Sequence, residues 1–185
     1  MVKQIHREFK IYTKRGDKGF TYLFNGKKIK KDNNRVQAYG NIDELNSIVG
    51  ILIAFLRDKQ LKKELICVQK DLFLVGGYLA KSIGREIEIL NKRTKEIELL
   101  IDKLSVKLPK ITSFILPGGT IEASFMHFAR TVCRRSERSV VLLSKKETVE
   151  KTVIVYLNRL SDALFIMARF INFKEGKKEE VWKTK

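Results

Sequence analysis

Residues that build many catalytic and structural sites are scarce in this sequence. Its 185 residues include two cysteines, two histidines, two prolines and one tryptophan. Cys67 and Cys133 lie apart, in apolar helix-like patterns and outside any Cys-x-x-Cys or Cys/His cluster. A structural zinc site is therefore not expected, and we interpret both cysteines as small buried hydrophobic residues.

The histidines exclude several enzyme classes. His6 and His127 form neither a His-Glu-x-x-His nor a Glu-x-x-His motif, which excludes the usual zinc proteases and di-iron bundles. No Gly-x-Ser-x-Gly motif is present, and with two histidines the sequence offers few candidate residues for a catalytic triad of nucleophile, histidine and acid. We interpret His127 as a helix-packing residue rather than as a catalytic base.

Long hydrophobic runs are also missing. No stretch of about 18 uncharged apolar residues occurs, and the first residues do not resemble the apolar segment of a secretory signal. We therefore expect a cytoplasmic protein that has no membrane partner.

Positive charge, in contrast, is abundant. Lysine and arginine number 38 against 21 aspartate and glutamate residues, which gives a formal net charge of +17. An excess of this size attracts polyanions such as nucleic acid, acidic membrane or nucleotides. No nucleic-acid-binding signature occurs, so nucleic acid is not the expected partner, although a non-catalytic module that binds polyanions remains an alternative. Lysine-rich surfaces also favour solubility, so the charge alone does not decide the function.

Apolar residues recur at helical spacing in five segments. With 44% apolar residues, the chain fits one domain over residues 1–185. The spacing predicts helices over residues 38–56, 61–79, 94–108, 120–146 and 152–174. One of Asp32, Asn33 and Asn34 is expected to cap the first helix, the second is expected to end near Gly84, and Pro109 ends the third. Five helices with short connections predict an all-α, up-and-down bundle over residues 34–174, followed by a polar, mobile tail at 175–185.

Two stretches, residues 8–33 and 110–119, lack helical periodicity and are expected to carry the site. The first contains a basic segment, residues 13–21, which reads Thr13, Lys14, Arg15, Gly16, Asp17, Lys18, Gly19, Phe20 and Thr21. Glycines allow backbone N–H groups to approach a phosphate chain, and the cations neutralise its charge. The segment is not a Walker A loop, and a solvated basic turn would have a similar composition.

The fourth predicted helix carries a row of arginines. Arg130, Arg134 and Arg138 follow one another at four-residue spacing and therefore share a face. Like charges at this spacing repel, so an anionic ligand or facing carboxylates should compensate them. Because Arg130 and Arg134 alternate with apolar residues, we expect both to face inward, and a solvated basic face is the alternative.

Polar stripes on the first and fifth helices supply candidate partners. The first helix carries Asp43 among small and polar residues, and the fifth carries Asn158 and Asp162 one turn apart. Such stripes suggest a cleft lined by paired charges, although ordinary interhelical ion pairs or an oligomer interface would give the same pattern. A site rich in cations and poor in general bases is suited to a polyphosphate.

Five motifs in order resemble the PduO-type cobalamin adenosyltransferases. They lie at residues 12–21, 38–47, 114–119, 129–138 and 156–162, and the similarity spans about residues 11–172. The resemblance implies a ferritin-like, five-helix bundle that forms a homotrimer with active sites between subunits. It also implies transfer of the 5′-deoxyadenosyl group of ATP to cob(I)alamin, which gives adenosylcobalamin and triphosphate. Mg²⁺ would be carried by the ATP phosphates, with no metal site of the protein itself.

The resemblance also assigns site residues. Residues 13–21 and Lys31 would bind ATP, the segment meeting the helix 4 arginines across the subunit interface. Further ATP-binding residues would be Arg134, Arg135, Ser136, Glu137, Arg138 and Asn158. Asp43 and Arg130 would form an ion pair and, with Arg134, would be catalytic. Phe114 would press on the lower face of the corrin and favour cobalt without its lower nitrogen ligand.

The resemblance also implies partner proteins, and a few residues of this sequence differ from the family's pattern. A flavin reductase and an adenosylcobalamin-dependent enzyme are implied partners. Arg15, Tyr39 and Ser136 differ from residues that are frequent in the family, which leaves the corrinoid preference open. A sensor or carrier of adenosylcobalamin with the same fold remains an alternative.

Overall fold

The computed structural model describes residues 11–182, and five long helices dominate this part of the chain. The elements are β1 (Phe20–Tyr22), β2 (Lys28–Lys30), α1 (Asn34–Phe55), α2 (Lys59–Leu79), α3 (Leu90–Ser105), α4 (Ile121–Ser144) and α5 (Lys151–Lys174). A short 3₁₀ turn, Arg85–Ile89, precedes α3. The prediction of a mostly helical chain with five helices is confirmed.

Side-chain caps fix the starts of three helices. Asn33 caps α1 by accepting a hydrogen bond from the backbone N–H of Arg35 at 2.8 Å. Asp58 does the same for α2, and Thr120 caps α4 by accepting from the N–H of Ala123 at 3.1 Å. Each cap satisfies a backbone donor that has no partner within the helix.

The apolar stripes form one core. α1 packs against α2 and α4, α4 packs against α5, and α5 packs against α3. The stripe predicted on the first helix is buried along its whole length, with Ala38, Ile42, Leu45, Val49, Leu52 and Leu56 each at most 4% exposed. Burial of such side chains is the main stabilising contribution to a helical bundle. Within residues 11–182, no helix is both long enough and apolar enough to cross a membrane.

Several boundaries differ from the prediction. α2 ends at Leu79, because Lys81 adopts a left-handed conformation with φ of 64° that no helix can continue. α3 begins at Leu90, after the 3₁₀ turn, and ends at Ser105, well before Pro109.

A β-hairpin lies in the stretch that was expected to be a loop. β1 and β2 pair antiparallel, with Phe20 opposite Lys30, and Gly26 supplies the positive φ of the turn. Strands of three residues are too short to show an alternating pattern in the sequence.

The interpretation of the cysteines is half right. Cys133 is buried and donates a hydrogen bond from its thiol to the carbonyl of Leu157, and burial raises the pKa of that thiol. Cys67, by contrast, is exposed on α2.

A buried polar cluster joins three helices. Arg93 on α3 donates to Asp71 on α2 at 2.9 Å and to Glu64 at 2.7 Å, while the hydroxyl of Tyr156 on α5 donates to Asp71 at 2.8 Å. Burial raises the pKa of the Asp71 carboxyl despite these donors, which act in the opposite direction. The carboxyl therefore depends on all of its donors to remain buried as an anion.

Replacing Tyr156 with phenylalanine should reduce the free energy of unfolding by about 1–3 kcal/mol, because Asp71 loses a buried donor. Urea denaturation measures the change. Tyr22→Phe is the matched control, since Tyr22 is 51% exposed. Equal stability of the two variants would show that the hydroxyl of Tyr156 contributes nothing to the fold.

Candidate active site

The basic segment, residues 13–21, begins with a turn, and its last two residues, Phe20 and Thr21, are the start of β1. Gly19 has a φ of 77°, which glycine adopts without strain, and its N–H donates to the carbonyl of Gly16 at 3.2 Å. Lys14 is also left-handed, with φ of 58°. The side chains of Lys14, Arg15 and Lys18 are exposed, so the turn presents cations to solvent.

The hairpin returns Lys31 to this turn. The backbone N–H of Lys31 donates to the carbonyl of Gly19 at 2.9 Å. The Lys31 ammonium lies so close to Gly16 that an added Cβ would be 3.1 Å from Nζ, so the glycine leaves room for the cation. The structure thus brings together the basic segment and Lys31, as the resemblance implies.

The hairpin is tethered to the bundle at its other end. The N–H of Phe24 donates to the carbonyl of Ala80 at 3.0 Å, and Leu23 is buried. The turn of the hairpin is therefore held near the end of α2, although it belongs to no helix.

The α4 arginines differ in exposure. Arg130 is half-buried, whereas Arg134, Arg135 and Arg138 are exposed, so the expectation that Arg134 faces inward is wrong for the single chain. Arg135 forms an ion pair with Glu44 of α1, and the guanidinium of Arg138 donates to the carbonyl of Arg134 at 3.2 Å.

Two other predicted residues of this region, Asn158 and Ser136, make side-chain hydrogen bonds within the chain. The amide of Asn158 donates to Glu137 at 3.1 Å. Ser136 is buried, and its hydroxyl donates to the carbonyl of Asn41 at 2.9 Å, which holds α1 against α4.

The expected ion pair between Asp43 and Arg130 is not formed. Asp43 is exposed on α1, and the α1–α4 contact nearby is made by Asn41, which donates to Ser139 and accepts from Ser136 through its carbonyl. The guanidinium of Arg130 lies 5.9 Å from the ring centre of Phe165. Its Nε is buried without a hydrogen-bond partner among the described residues, and burial, together with Arg134, lowers the pKa of Arg130.

A cavity of about 460 Å³ joins this cation to the Phe114 loop, residues 110–119. Its walls include Phe114, Ile115, Pro117, His127, Arg130, Arg134, Asp162 and Phe165. The Phe114 side chain is 85% exposed. One cavity therefore combines apolar walls with two predicted catalytic arginines.

The basic segment and the α4 arginines are not bonded to each other within the described part of the chain. Among residues 11–182, none of the hydrogen bonds or ion pairs joins residues 13–21 to α4. The predicted ATP-binding residues thus form two separate groups in the chain.

Asn172 of α5, which the sequence did not reveal as a site residue, fixes one end of the Phe114 loop. Its buried amide donates to the carbonyl of Gly118 at 2.9 Å and accepts from the N–H of Thr120 at 3.0 Å. Gly119, with φ of 113°, lets the backbone approach this amide, since an added Cβ would lie 2.1 Å from Asn172 Oδ1.

The C-terminal tail is not a free polar segment as far as the structure describes it. Val181 pairs with Ile115 in an antiparallel bridge, and the N–H of Trp182 donates to the carbonyl of Phe114 at 2.7 Å. Glu179 forms an ion pair with Arg169 of α5. The only signal in the sequence was the apolar pair Val181-Trp182 at the end of a polar run.

His127 packs against the cavity wall. It is 3% exposed, its ring centre lies 6.0 Å from that of Phe165, and burial followed by the charge of Arg130 lowers its pKa. The nearby carboxylate of Glu179 acts in the opposite direction. These contacts agree with a packing role.

Comparisons with known proteins extend these observations. The sequence matches the cobalamin adenosyltransferase family over residues 11–171. It is 44% identical over 172 residues to the corrinoid adenosyltransferase of Bacillus subtilis, which covers 90% of this chain and 89% of that protein. It is 41% identical over 182 residues to the corrinoid adenosyltransferase MMAB of Homo sapiens, which covers 94% of this chain and 73% of that protein.

Solved structures give the same result. A phenylalanine-to-alanine variant of the PduO-type ATP:corrinoid adenosyltransferase from Lactobacillus reuteri, complexed with cobalamin and ATP, has a TM-score of 0.88 and 37% identity over 95% of this chain and 100% of that chain. An arginine-to-lysine variant from the same organism, complexed with ATP, has a TM-score of 0.85 and 38% identity over 94% of this chain and 100% of that chain. This chain belongs to the cobalamin adenosyltransferase family, which confirms the resemblance stated from its five motifs.

Gly119→Ala should destabilise the protein by at least about 2 kcal/mol, because alanine is strained at this φ and its Cβ would displace the Asn172 amide. Thermal or urea unfolding measures the loss. Gly118→Ala is the matched control, since an added Cβ there meets nothing within 4 Å. Comparable losses in both variants would contradict the role given to Asn172.

His127 should titrate below its ordinary pKa of about 6.5. The unfolded chain then takes up the proton first as the pH falls, so the free energy of unfolding should decrease from about pH 6.5 down to the folded pKa. NMR titration in a His6→Asn background, which leaves one histidine, measures the pKa directly. A value at or above 6.5 would contradict the packing described here.

Proposed function

We propose that this chain is a corrinoid adenosyltransferase, an enzyme that transfers the 5′-deoxyadenosyl group of ATP to the cobalt of cob(I)alamin. The products are adenosylcobalamin and triphosphate. The family match and the relatives support this reaction. The observation that carries it in this chain is the cavity that places Phe114 beside Arg130 and Arg134, because it offers an apolar wall to a flat macrocycle and cations to a polyphosphate.

The proposed reaction requires little acid–base catalysis from the protein. Co(I) is itself a strong nucleophile, so no side chain has to activate it. The protein must align the cobalt with C5′ of ATP and stabilise the negative charge of the departing triphosphate. A cavity that contains two arginines and a histidine held neutral by burial is consistent with this division of tasks.

Two groups of residues are proposed to bind ATP. One is the basic segment, residues 13–21, together with Lys31. The other comprises Arg134, Arg135, Ser136, Glu137 and Arg138 of α4, with Asn158 of α5. Arg130 and Arg134 would stabilise the negative charge of the departing triphosphate. The buried Nε of Arg130, which has no hydrogen-bond partner among the described residues, could donate to an anionic or carbonyl oxygen of a ligand. Asp43, exposed on α1, remains a proposed catalytic residue.

The separation of these two groups supports a site shared between subunits. The cations of the basic segment and of α4 are exposed, and no hydrogen bond or ion pair joins the two groups within residues 11–182, so a neighbouring copy would bring them to one triphosphate. We propose a homotrimer of up-and-down five-helix bundles in which each active site combines two chains. Homo-oligomers with closed symmetry repeat such an interface identically.

Mg²⁺ is proposed to enter with the nucleotide. Within residues 11–182 no three His, Cys, Asp or Glu side chains come together in a geometry that could hold a metal ion. Asp17 is the one carboxylate of the basic segment, and the other charged residues there are cations. This donor set fits phosphate oxygens, which would themselves hold the Mg²⁺.

Phe114 is proposed to act on the corrinoid. Its ring is 85% exposed at the cavity, which leaves it free to pack on the lower face of the corrin. A phenyl ring there excludes water and the lower nitrogen ligand, so that cobalt is more easily reduced to Co(I). A flavin reductase as electron donor, an adenosylcobalamin-dependent enzyme as recipient and a cytoplasmic location stay predictions from the sequence.

The reaction is tested anaerobically. Purified protein is mixed with chemically reduced cob(I)alamin and MgATP, and the visible spectrum is followed for light-sensitive adenosylcobalamin while triphosphate is assayed. We expect both products in equal amounts. Binding of ATP or adenosylcobalamin without either product would leave a carrier or sensor and overturn the enzymatic proposal.

Two substitutions should separate the proposed roles. Arg134→Ala should lower kcat/KM for ATP by about 10²–10³-fold, as expected for loss of a group that stabilises transition-state charge. Phe114→Ala should spare the reaction from cob(I)alamin and impair the reaction that starts from cob(II)alamin with a reductant. Lys145→Ala, at an exposed cation at the end of α4, is the control. Equal losses in both assays would contradict the division of roles.

A further inference from the structure

The last described residues form a strap along the Phe114 loop. This C-terminal strap, residues 176–182, makes main-chain contacts on both sides of the Ile115–Val181 bridge. The N–H of Leu116 donates to the carbonyl of Glu180 at 2.8 Å, and the N–H of Trp182 donates to the carbonyl of Phe114 at 2.7 Å. The strap therefore bonds directly to the backbone of the residue whose ring lines the cavity.

Beyond the bonds of the Gly176 and Lys177 N–H groups to the carbonyls of Phe173 and Asn172, one ion pair fixes the strap to α5. Nε and Nη2 of Arg169 donate to the two carboxylate oxygens of Glu179 at 2.9–3.0 Å. Arg169 is 5% exposed and Glu179 is 18% exposed, so the pair is shielded from solvent. Nη2 also donates to the carbonyl of Pro109 at 3.0 Å, just before the Phe114 loop. A buried bidentate pair of this kind gives a defined geometry as well as attraction.

The strap contributes little to the core of the bundle. A second cavity of about 460 Å³ lies beneath it, between Leu108, Ile111, Arg169, Phe173 and Val181. Beyond its first two residues, which bond to the last turn of α5, the strap thus reaches the bundle through the Arg169–Glu179 pair and through the loop. It does not fill the space between them. A segment that leaves such a gap gains little van der Waals stabilisation from packing.

The exposed ring of Phe114 explains why its backbone must be held. Most of the ring is in solvent, so side-chain packing does not fix its position. The loop is instead held from α5 at Pro109 by Arg169, at residues 114–116 by the strap, and at residues 118–120 by Asn172. A group that must press on a ligand is effective only when its support is rigid.

We propose that Arg169 and Glu179 are positioning residues for the corrinoid step. The pair fixes the strap, and the strap fixes the backbone of Phe114. The phenyl ring is thereby held in the position in which it contacts the corrin. This inference rests on the proposed function and deepens it. Neither the basic segment nor Arg134 makes a hydrogen bond or ion pair with the strap among residues 11–182, so ATP binding should not depend on the pair.

The first test compares two adjacent glutamates. Glu179→Gln breaks the pair, whereas Glu180→Gln changes an exposed side chain that makes no ion pair among residues 11–182. We expect Glu179→Gln to raise KM for cob(II)alamin or to lower turnover from it by about 10–100-fold, the range expected for misplacement of a reacting group. KM for ATP should stay within about twofold. Equal corrinoid kinetics for the two variants would overturn the proposal.

A second test leaves no buried charge unpaired, in case Glu179→Gln folds poorly. A chain that ends at Val181 keeps the Arg169–Glu179 pair but lacks the N–H that donates to the carbonyl of Phe114. A chain that ends at Trp182 is its control. The shorter chain should show the corrinoid defect with an unchanged unfolding midpoint. Normal corrinoid kinetics in the shorter chain, or a matching loss for ATP, would show that the strap is only structural.

The single tryptophan supplies a readout that does not need catalysis. Trp182 is the only tryptophan of the chain and is bonded to the Phe114 backbone. Corrinoids absorb in the region of tryptophan emission, so hydroxocobalamin bound at Phe114 should quench its fluorescence. Glu179→Gln should weaken this binding and Glu180→Gln should not. Equal quenching curves would overturn the positioning role, whereas quenching without turnover in the unmodified protein would refute the proposed function alone.

Discussion

The site depends on the requirement that polar side chains buried on α5 find partners. The hydroxyl of Tyr156 donates to the buried carboxylate of Asp71 nearer the start of the helix. Near the end of the helix, Arg169 and Asn172 donate to backbone carbonyls. Because an unpaired polar group in the interior is costly, Arg169 and Asn172 bind the backbone at the two ends of the segment that passes over them. That segment is the Phe114 loop. Helix α5 therefore fixes the position of a loop whose own side chains are mostly exposed.

Charge is arranged differently in the two groups of predicted ATP-binding residues. The basic segment and Lys31 present solvated cations on a curled turn, where they can adapt to a phosphate chain. Arg130 is half-buried, lies near Phe165 and lacks a carboxylate partner among the described residues. A desolvated cation without a counterion is costly to the free protein, and an anionic ligand would offset that cost. The charge pattern thus favours a bound nucleotide over a bare surface.

Sequence patterns predicted the features that apolar periodicity controls. The buried stripe of α1 followed from spacing, and Asn33 was among three candidate caps. Periodicity shows which residues share a helix face but not whether another element covers that face, so the exposure of Arg134 was missed. The hairpin and the strap depend on main-chain hydrogen bonds between distant segments, and such bonds leave little trace in residue type. The Arg169–Glu179 pair was hidden because two charged residues ten positions apart are ordinary in this sequence.

The contrast between the two cysteines has a practical consequence. Cys133 lies in the core with its thiol bonded to a carbonyl, whereas Cys67 stands exposed on α2. Thiol-reactive reagents select accessible sulfur, so a maleimide dye would attach to the native sequence at one defined position per chain. The molecule therefore already carries a unique handle for fluorophores, spin labels or heavy atoms. No engineered cysteine is needed, and the handle lies on a helix that contributes none of the residues assigned to the site.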